Sequence, residues 1–477
     1  MRTKLLLFAF APALCLGQDQ FQTIHDTIPA RLTETKTPSL AIAVARDGKI
    51  IWEEGFGLAD RENGVVASAD VLYPVASLSK PFTATALMIL VERGVLKLDG
   101  PANQYLGEAK LHARVGNASD ATVRRLANHT AGLPSHYQLF SRNQPLRPPS
   151  MDETIRRFGN LVTPSGERYE YSNLGYGILG YIIERASRRS YVDFVQENVL
   201  GPLGVRHPEP SSRAVRYDHT GSPLPEFDTD HPGAAAIFAS AHDLALFGLF
   251  HLGELPLKRP ILTKASLDLM HTPMVETGPS QGYGWGWEVQ TNAGYRTIFH
   301  KGGMAGATSS LHLIPEHHLV VAAVANSASP LPDEIRRKII ALMVPSTEVG
   351  PASPRPRPQP APQGEWSGKI ATYRSDLPLR LKSDGEVVQV ALEDAAFGPL
   401  ESARWRDGVL QGRMKGDLQL PEVGRCAYFI RLSLKMRGND LAGSATAFSV
   451  PTCTSGFGVT QWVELHRDST AQKQSSK

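Results

Sequence analysis

The sequence predicts an α+β fold, an antiparallel sheet with a helical insertion, followed by a separate all-β, barrel-like domain. Three observations carry this. Strand-like runs stand near residue 40 and again near residue 300, with helical patterns between them. A proline-dense stretch occupies residues 344–366. Beyond it the chain alternates apolar and polar residues in short runs and shows no long helical pattern. The chain has 477 residues, too many for one ordinary core, which fits at least two domains.

The elements follow in order. "MRTKLLLFAFAPALCLGQDQ" sets Arg2 and Lys4 before an apolar run that ends at Leu16. The run is short of the roughly 20 apolar residues a membrane span needs. It reads as a secretory signal, residues 1–17, cut near Gly17, and places the protein outside the cytoplasm, secreted or periplasmic. A lipid anchor at Cys15 is disfavoured by the bulky Leu14 before it. The first domain, 18–343, opens with "SLAIAVARDGKIIWEEGFGLAD", two apolar runs flanking Asp47-Gly48, a hairpin signal. Helical patterns follow at 81–93, 121–127, 151–159, 175–187, 191–199 and 241–249. "YRTIFHKGGMAGATSSLHLIPEHHLVVAAVANSA" then supplies three strand-like runs. Strands at both ends and helices in the middle imply a sheet assembled from the two ends of the domain. Residues 344–366 read as an extended linker, 367–468 as the all-β domain and 469–477 as a disordered tail.

Composition narrows the function. Hydrophobic residues are 42% and charged residues 20%, typical of a soluble globular chain. The net charge of +3 falls to +1 once Arg2 and Lys4 leave with the signal, so nothing calls for nucleic acid or an anionic membrane as partner. No stretch after the signal is long and apolar enough to cross a membrane. Of three cysteines, Cys426 and Cys453 survive signal removal. As an exported pair they read as one disulfide, with two buried thiols as the alternative.

Three motifs carry chemistry. In "VASLSKPFTATALMILVERG", Ser77 and Lys80 stand three apart at the start of an apolar helix. A helix N-terminus has free N–H groups that stabilise an oxyanion, and a partly desolvated lysine can take a serine proton. Alone, the pattern reads equally well as helix capping, and Ser79 reads as structural. In "GERYEYSNLGYGILGYIIERAS", Tyr171 beside a lysine can have its phenol pKa lowered and act as a base. Asn173 offers an amide to both substrate and lysine. The alternative has Ser172 or Asn173 capping the next helix and Tyr171 in the core. In "FHKGGMAG", His300 and Gly302 share one strand face and Lys301 points to the other. The glycines let a substrate approach the backbone, whose N–H groups can hold an oxyanion.

The order S-x-x-K, Y-x-N, then an H-x-G element on a late strand resembles the serine β-lactamase and penicillin-binding-protein superfamily. The tyrosine of the second motif points to the class C-like branch, with its D-aminopeptidase, D,D-peptidase and esterase relatives. "LANHTAGLP", "AAIFASAHDLALFG" and "GYGWGW" match that branch as well, and the likeness covers roughly residues 35–342. The resemblance implies a β-lactamase/transpeptidase-like fold and a serine hydrolase with no cofactor or metal. It implies Ser77 as nucleophile, Lys80 and Tyr171 as shared base and acid, and Asn173 as orienting residue. The N–H groups of Ser77 and Gly303 would form the oxyanion hole, and His300 and Gly302 would bind substrate. It also implies that the C-terminal domain is a lipocalin-like module that shapes access or binds a second ligand.

The triplet His300-Lys301-Gly302 departs from the Lys-Thr/Ser-Gly of β-lactamases. A histidine is only partly charged near neutral pH, and the hydroxyl is missing, so the grip on a β-lactam carboxylate is weakened. The expectation is therefore an amide or ester hydrolase acting on a small or peptide acyl substrate, such as a D-amino-acid peptide or ester. The alternatives are a slowly deacylating or non-catalytic recognition protein, and a true β-lactamase. Other features read as decoys. Ser280 in "GPSQG" lacks a strand-to-helix elbow. Asp228, Asp230 and His231 read as a solvated loop, and His317-His318 as an exposed turn. Asn117 and Asn128 fit glycosylation sequons, the second expected to be buried.

Overall fold

The computed structural model describes residues 19–205, 213–292, 294–345 and 361–468. The signal at 1–17, most of the proline-rich stretch and the tail at 469–477 lie outside the described residues.

A nine-stranded antiparallel sheet organises the first domain. Its middle is made by the two chain ends. Ser39–Arg46 lies between Leu319–Ala325 on one side and Lys49–Asp60 on the other. Asp47 and Gly48 turn the first hairpin with φ of +51° and +75°, the left-handed pair such a turn demands. Alternation along Ser39–Arg46 then divides two layers. Leu40, Ile42 and Val44 face the helices Gln22–Glu34 and Leu331–Met343. Ala41, Ala43 and Ala45 face the helical insertion, where small side chains let the helix Ala241–Leu252 approach. The two outer helices were not among the expected ones. Polar residues interrupt both, and only Ile24 and Ile28 of the first are buried.

The insertion centres on Ser79–Glu92, whose residues Ser79 to Leu90 are all buried. A helix apolar on every side belongs in an interior. The helices Asn173–Ser187 and Ala241–Leu252 pack around it within one core. The segment expected at 121–127 is shorter, Val123–Ala127, capped by Thr122. The one expected at 191–199 is Tyr191–Val195 followed by a wider turn, Gln196–Leu200.

The C-terminal domain is a nearly closed all-β barrel. In space its strands run from Gly398–Pro399 through Gly364–Ala371 and Phe457–Arg467 to Glu401–Arg406. Only Leu400 separates the two edge strands in sequence, so the sheet must curl until its edges approach. Alternation is visible in Asp376–Ser383, where Leu377, Leu379 and Leu381 are buried and Pro378 and Arg380 exposed. The first barrel strand starts at Gly364, inside the range read as linker, because Trp366 is drawn into the barrel core.

Two strands of the first domain join this sheet, which the sequence did not indicate. Tyr137–Ser141 pairs with the barrel strand Phe457–Arg467 and also with Phe227–Thr229. The barrel strand is buried on both faces from Phe457 to Val463. Cys426 and Cys453 form a disulfide across 27 residues. Closing a loop of that size is worth about 3.5 kcal/mol of unfolded-state entropy. Cys453→Ser is therefore expected to lower the unfolding free energy by about 3 kcal/mol in denaturant titration.

Candidate active site

Ser77 sits on a tight turn, Ala76–Leu78, that leads into the helix Ser79–Glu92. Ile237, just before the short strand Phe238–Ala239, holds the turn from both sides. Val75 N–H donates to the Ile237 carbonyl at 3.0 Å, and Ser79 Oγ accepts from Ile237 N–H at 3.1 Å. Ser79 is thus structural, as expected. Ala76 is forced to φ of +50°, a left-handed conformation that costs a non-glycine residue about 1–3 kcal/mol. The result is a presented hydroxyl. Ser77 alone among residues 71–80 escapes full burial.

Lys80 lies one turn on and is wholly buried. Its Nζ is 3.2 Å from Ser77 Oγ, donates to Asn173 Oδ1 at 2.7 Å and reaches the Ala234 carbonyl at 3.4 Å. The rings of Tyr171 and Tyr176 lie 4.7 and 5.6 Å away. No carboxylate pairs with Lys80 among the described residues. Burial pushes its ammonium pKa well below the ordinary lysine range, which favours the neutral amine.

The Tyr171-Ser172-Asn173 stretch divides its contacts between neighbours. Ser172 is the cap of Asn173–Ser187, accepting from Gly175 N–H, and Asn173 turns its amide to Lys80. Tyr171 hydrogen-bonds Ser77. Its phenol pKa is not lowered. Burial raises it, and the Ser77 bond offsets this only in part. The proton therefore rests on the phenol while the lysine is the basic group.

His300 and Gly302 face inward, and Lys301 faces out, where it pairs with Asp333 at 2.9 Å. The expected partial charge on His300 is corrected. Burial and then the neighbouring Lys80 push its pKa down to about 3, so it is neutral at pH 7. Its Nδ1 lies 2.8 Å from the Lys301 carbonyl and its Nε2 3.3 Å from the Tyr283 hydroxyl. A Cβ on Gly302 would meet the Val75 carbonyl at 2.0 Å, so only glycine lets this strand lie against the Ser77 turn. Gly303, the next residue, is exposed and would carry a Cβ into open space.

The motifs did not single out several residues here. His129 is buried between the rings of Tyr171, Tyr176 and Tyr283, and its Nδ1 accepts from Ser172 N–H. Ser309 Oγ donates to the Val75 carbonyl at 2.6 Å. His129 and Tyr283 stand within "LANHTAGLP" and "GYGWGW", but their convergence depends on the fold.

The decoys resolve unevenly. Ser280 is at the tip of a hairpin, far from any helix start. Asn117 is exposed, and Asn128 is buried. The solvated-loop reading of Asp230 and His231 is wrong. Both are buried, because Asp230 accepts from His136, Gln138 and His231. Among the described residues no group of three or more His, Cys, Asp or Glu is placed to hold a metal ion.

The buried histidines predict acid lability. Burial lowers the pKa of His129, His251, His271, His300 and His312 below the ordinary 6.5. The unfolded chain therefore binds more protons below pH 6.5, so stability is full above that pH and falls below it. Each such histidine removes about 1.4 kcal/mol per pH unit. Thermal melts between pH 7 and 5 should show a steep fall in Tm; a flat profile would contradict this burial.

Comparisons with known proteins agree with this architecture. The family model described as Beta-lactamase matches residues 24–343. Protein flp of Staphylococcus aureus is 27% identical over 327 residues, 65% of this chain and 64% of that protein's length. The chain thus spans less than two thirds of that relative. The octameric penicillin-binding protein homologue from Pyrococcus abyssi superposes with a TM-score of 0.60 at 23% identity, covering 88% of this chain and 97% of that one. The crystal structure of SurE with D-Leu superposes with a TM-score of 0.61 at 21% identity, covering 94% and 100%.

Proposed function

Since the chain belongs to the β-lactamase family, we propose that it is an exported serine hydrolase that cleaves small amides or esters, D-amino-acid derivatives foremost, through an acyl-enzyme on Ser77. The observation that carries the reading is the buried Lys80 amine, held between Ser77 Oγ and Asn173 Oδ1 with no carboxylate partner among the described residues.

Ser77 Oγ attacks the acyl carbon and its proton passes to Lys80. The N–H groups of Ser77 and Gly303 hold the oxyanion. The C–N or C–O bond breaks, and the leaving group takes its proton through Lys80 and Tyr171. Water then attacks the acyl carbon, and its proton returns by the same groups to Ser77 Oγ, releasing the acid. A neutral His300 gives a β-lactam carboxylate no fixed cation, which argues against efficient penicillin turnover. The pairing of SurE with D-Leu supports a D-configured substrate here. The sequence of residues 1–17 supports export.

The test is kcat/KM for a D-alanyl ester, its L-enantiomer, an aryl ester and a penicillin. The D-ester is expected to lead and the penicillin to trail. A penicillin turned over best would replace this reading with that of a β-lactamase, and turnover of none would favour a recognition protein.

A further inference from the structure

We infer that Arg425, on the C-terminal barrel, is a positioning residue for Lys80. It anchors, through Gln138 and Asp230, the short helix whose carbonyl meets the lysine. The inference rests on the proposed role of Lys80 as proton acceptor.

The chain of contacts is continuous. Arg425 Nη1 donates to the Leu139 carbonyl at 2.9 Å, and Nη2 donates to Gln138 Oε1 at 3.1 Å. Its guanidinium stacks on Phe140 of the first domain and Phe457 of the barrel. Gln138 Nε2 and N–H both donate to Asp230, each at 3.0 Å. His136 Nε2 lies 3.0 Å from the same carboxylate, and His231 Nδ1 lies 2.6 Å from it. His136, Gln138, Asp230 and His231 are all buried. The polar side-chain atoms of Gln138, Asp230 and His231 are all paired, which makes the network rigid, while His136 Nδ1 has no hydrogen-bond partner among the described residues.

His231 leads directly into the helix Pro232–Ala235. That helix is pressed against Asn173–Ser187. A Cβ on Gly177 would lie 2.8 Å from the His231 Cβ, and one on Gly233 would lie 2.3 Å from the Tyr176 carbonyl. Its carbonyls then face the Ser79–Glu92 helix, where Thr83 Oγ1 donates to Gly233 and Lys80 Nζ meets Ala234. The floor beneath Lys80 is thus set from the barrel side. The Cys426–Cys453 disulfide, next to Arg425, ties the Arg425 loop to the loop ending at Gly456, and both loops hydrogen-bond Leu139.

The burial of Lys80 adds a second leg. Lys80 is faced by Ser77, Tyr171, Asn173, Tyr176, His129, His300, His231 and the Ala234 carbonyl. Asp230 is the anion of the neighbouring cluster, and it attracts Arg425 as well as His136 and His231. Glu422, also near Arg425, is already held by Arg157 and Tyr373. Removing Arg425 loosens this floor and admits water beside Lys80, whose ammonium is disfavoured by burial alone. The lysine then becomes neutral only at higher pH.

Full-length Arg425→Met and Arg425→Lys test this by two readouts. One is amide exchange of residues 227–236. The other is the pH dependence of Ser77 labelling by an aryl phosphonofluoridate. For Arg425→Met we expect exchange about tenfold faster, labelling about fivefold slower, and a half-maximal pH raised by about half a unit. Arg425→Lys loses the fork but keeps one donor, so its labelling should slow by about threefold with a smaller rise in half-maximal pH. Wild-type behaviour of Arg425→Met in either readout overturns the inference. If that variant does not fold, a wild-type labelling rate in Arg425→Lys overturns it. A wild-type protein unlabelled at Ser77 refutes the proposed function instead, and amide exchange then decides the inference by itself.

Discussion

Lys80→Met is expected to leave a folded protein that is about 1,000-fold or more slower, at unchanged KM. The methionine fills nearly the same buried volume, but no group then takes the Ser77 proton. The energetic side is as informative as the kinetic one. Lys80 is wholly buried and its charged form is disfavoured there. The three groups its amine hydrogen-bonds are Ser77, Asn173 and the Ala234 carbonyl, and the first two residues are only partly buried. Replacing the amine should therefore hold or raise the unfolding free energy, by up to about 2 kcal/mol. A stable, inactive variant would show that Lys80 is kept for chemistry against its cost to the fold. An inactive variant that is also unstable would make the lysine a packing residue.

Gly302→Ala is expected to damage both stability and activity severely. The added Cβ would stand 2.0 Å from the Val75 carbonyl and 2.3 Å from Ser309 Oγ, two atoms that already bond each other. Neither can yield without moving the turn that carries Ser77. We expect a loss of about 3 kcal/mol or more in stability and about 100-fold in activity. Gly303→Ala is the control. Its Cβ meets nothing within 4 Å, so its melting temperature should match that of the parent. Equal stability of the two variants would mean that strand Tyr295–Met304 does not lie against the turn as described.

Much of this was legible in local pattern. Asp47-Gly48, the alternation of Leu377, Leu379 and Leu381, and the three motifs each announce themselves within a few residues. The order of the motifs also named the residues that the fold brings together at Ser77. What was not legible depends on distant packing. The charge of His300 follows from burial beside Lys80, 220 positions away, so a free histidine's pKa misled. The raised Tyr171 phenol has the same origin. Asp230 looked solvated because "FDTDHP" is polar, yet His136 and Gln138 close over it from a strand shared with the barrel. The docking of that strand on the barrel leaves no periodic trace, because five residues are too few to display one.

Covalent catalysis by Ser77 is decided by the intact mass of the protein after brief exposure to an acyl donor and an acid quench. Wild type and Ser77→Ala would be run side by side with a penicillin, a D-alanyl ester and an aryl ester. The expected result is an adduct equal to the donor's acyl group, located on the peptide containing Ser77 and absent from the variant. An adduct that persists in Ser77→Ala, or product released with the variant as fast as with wild type, would contradict it.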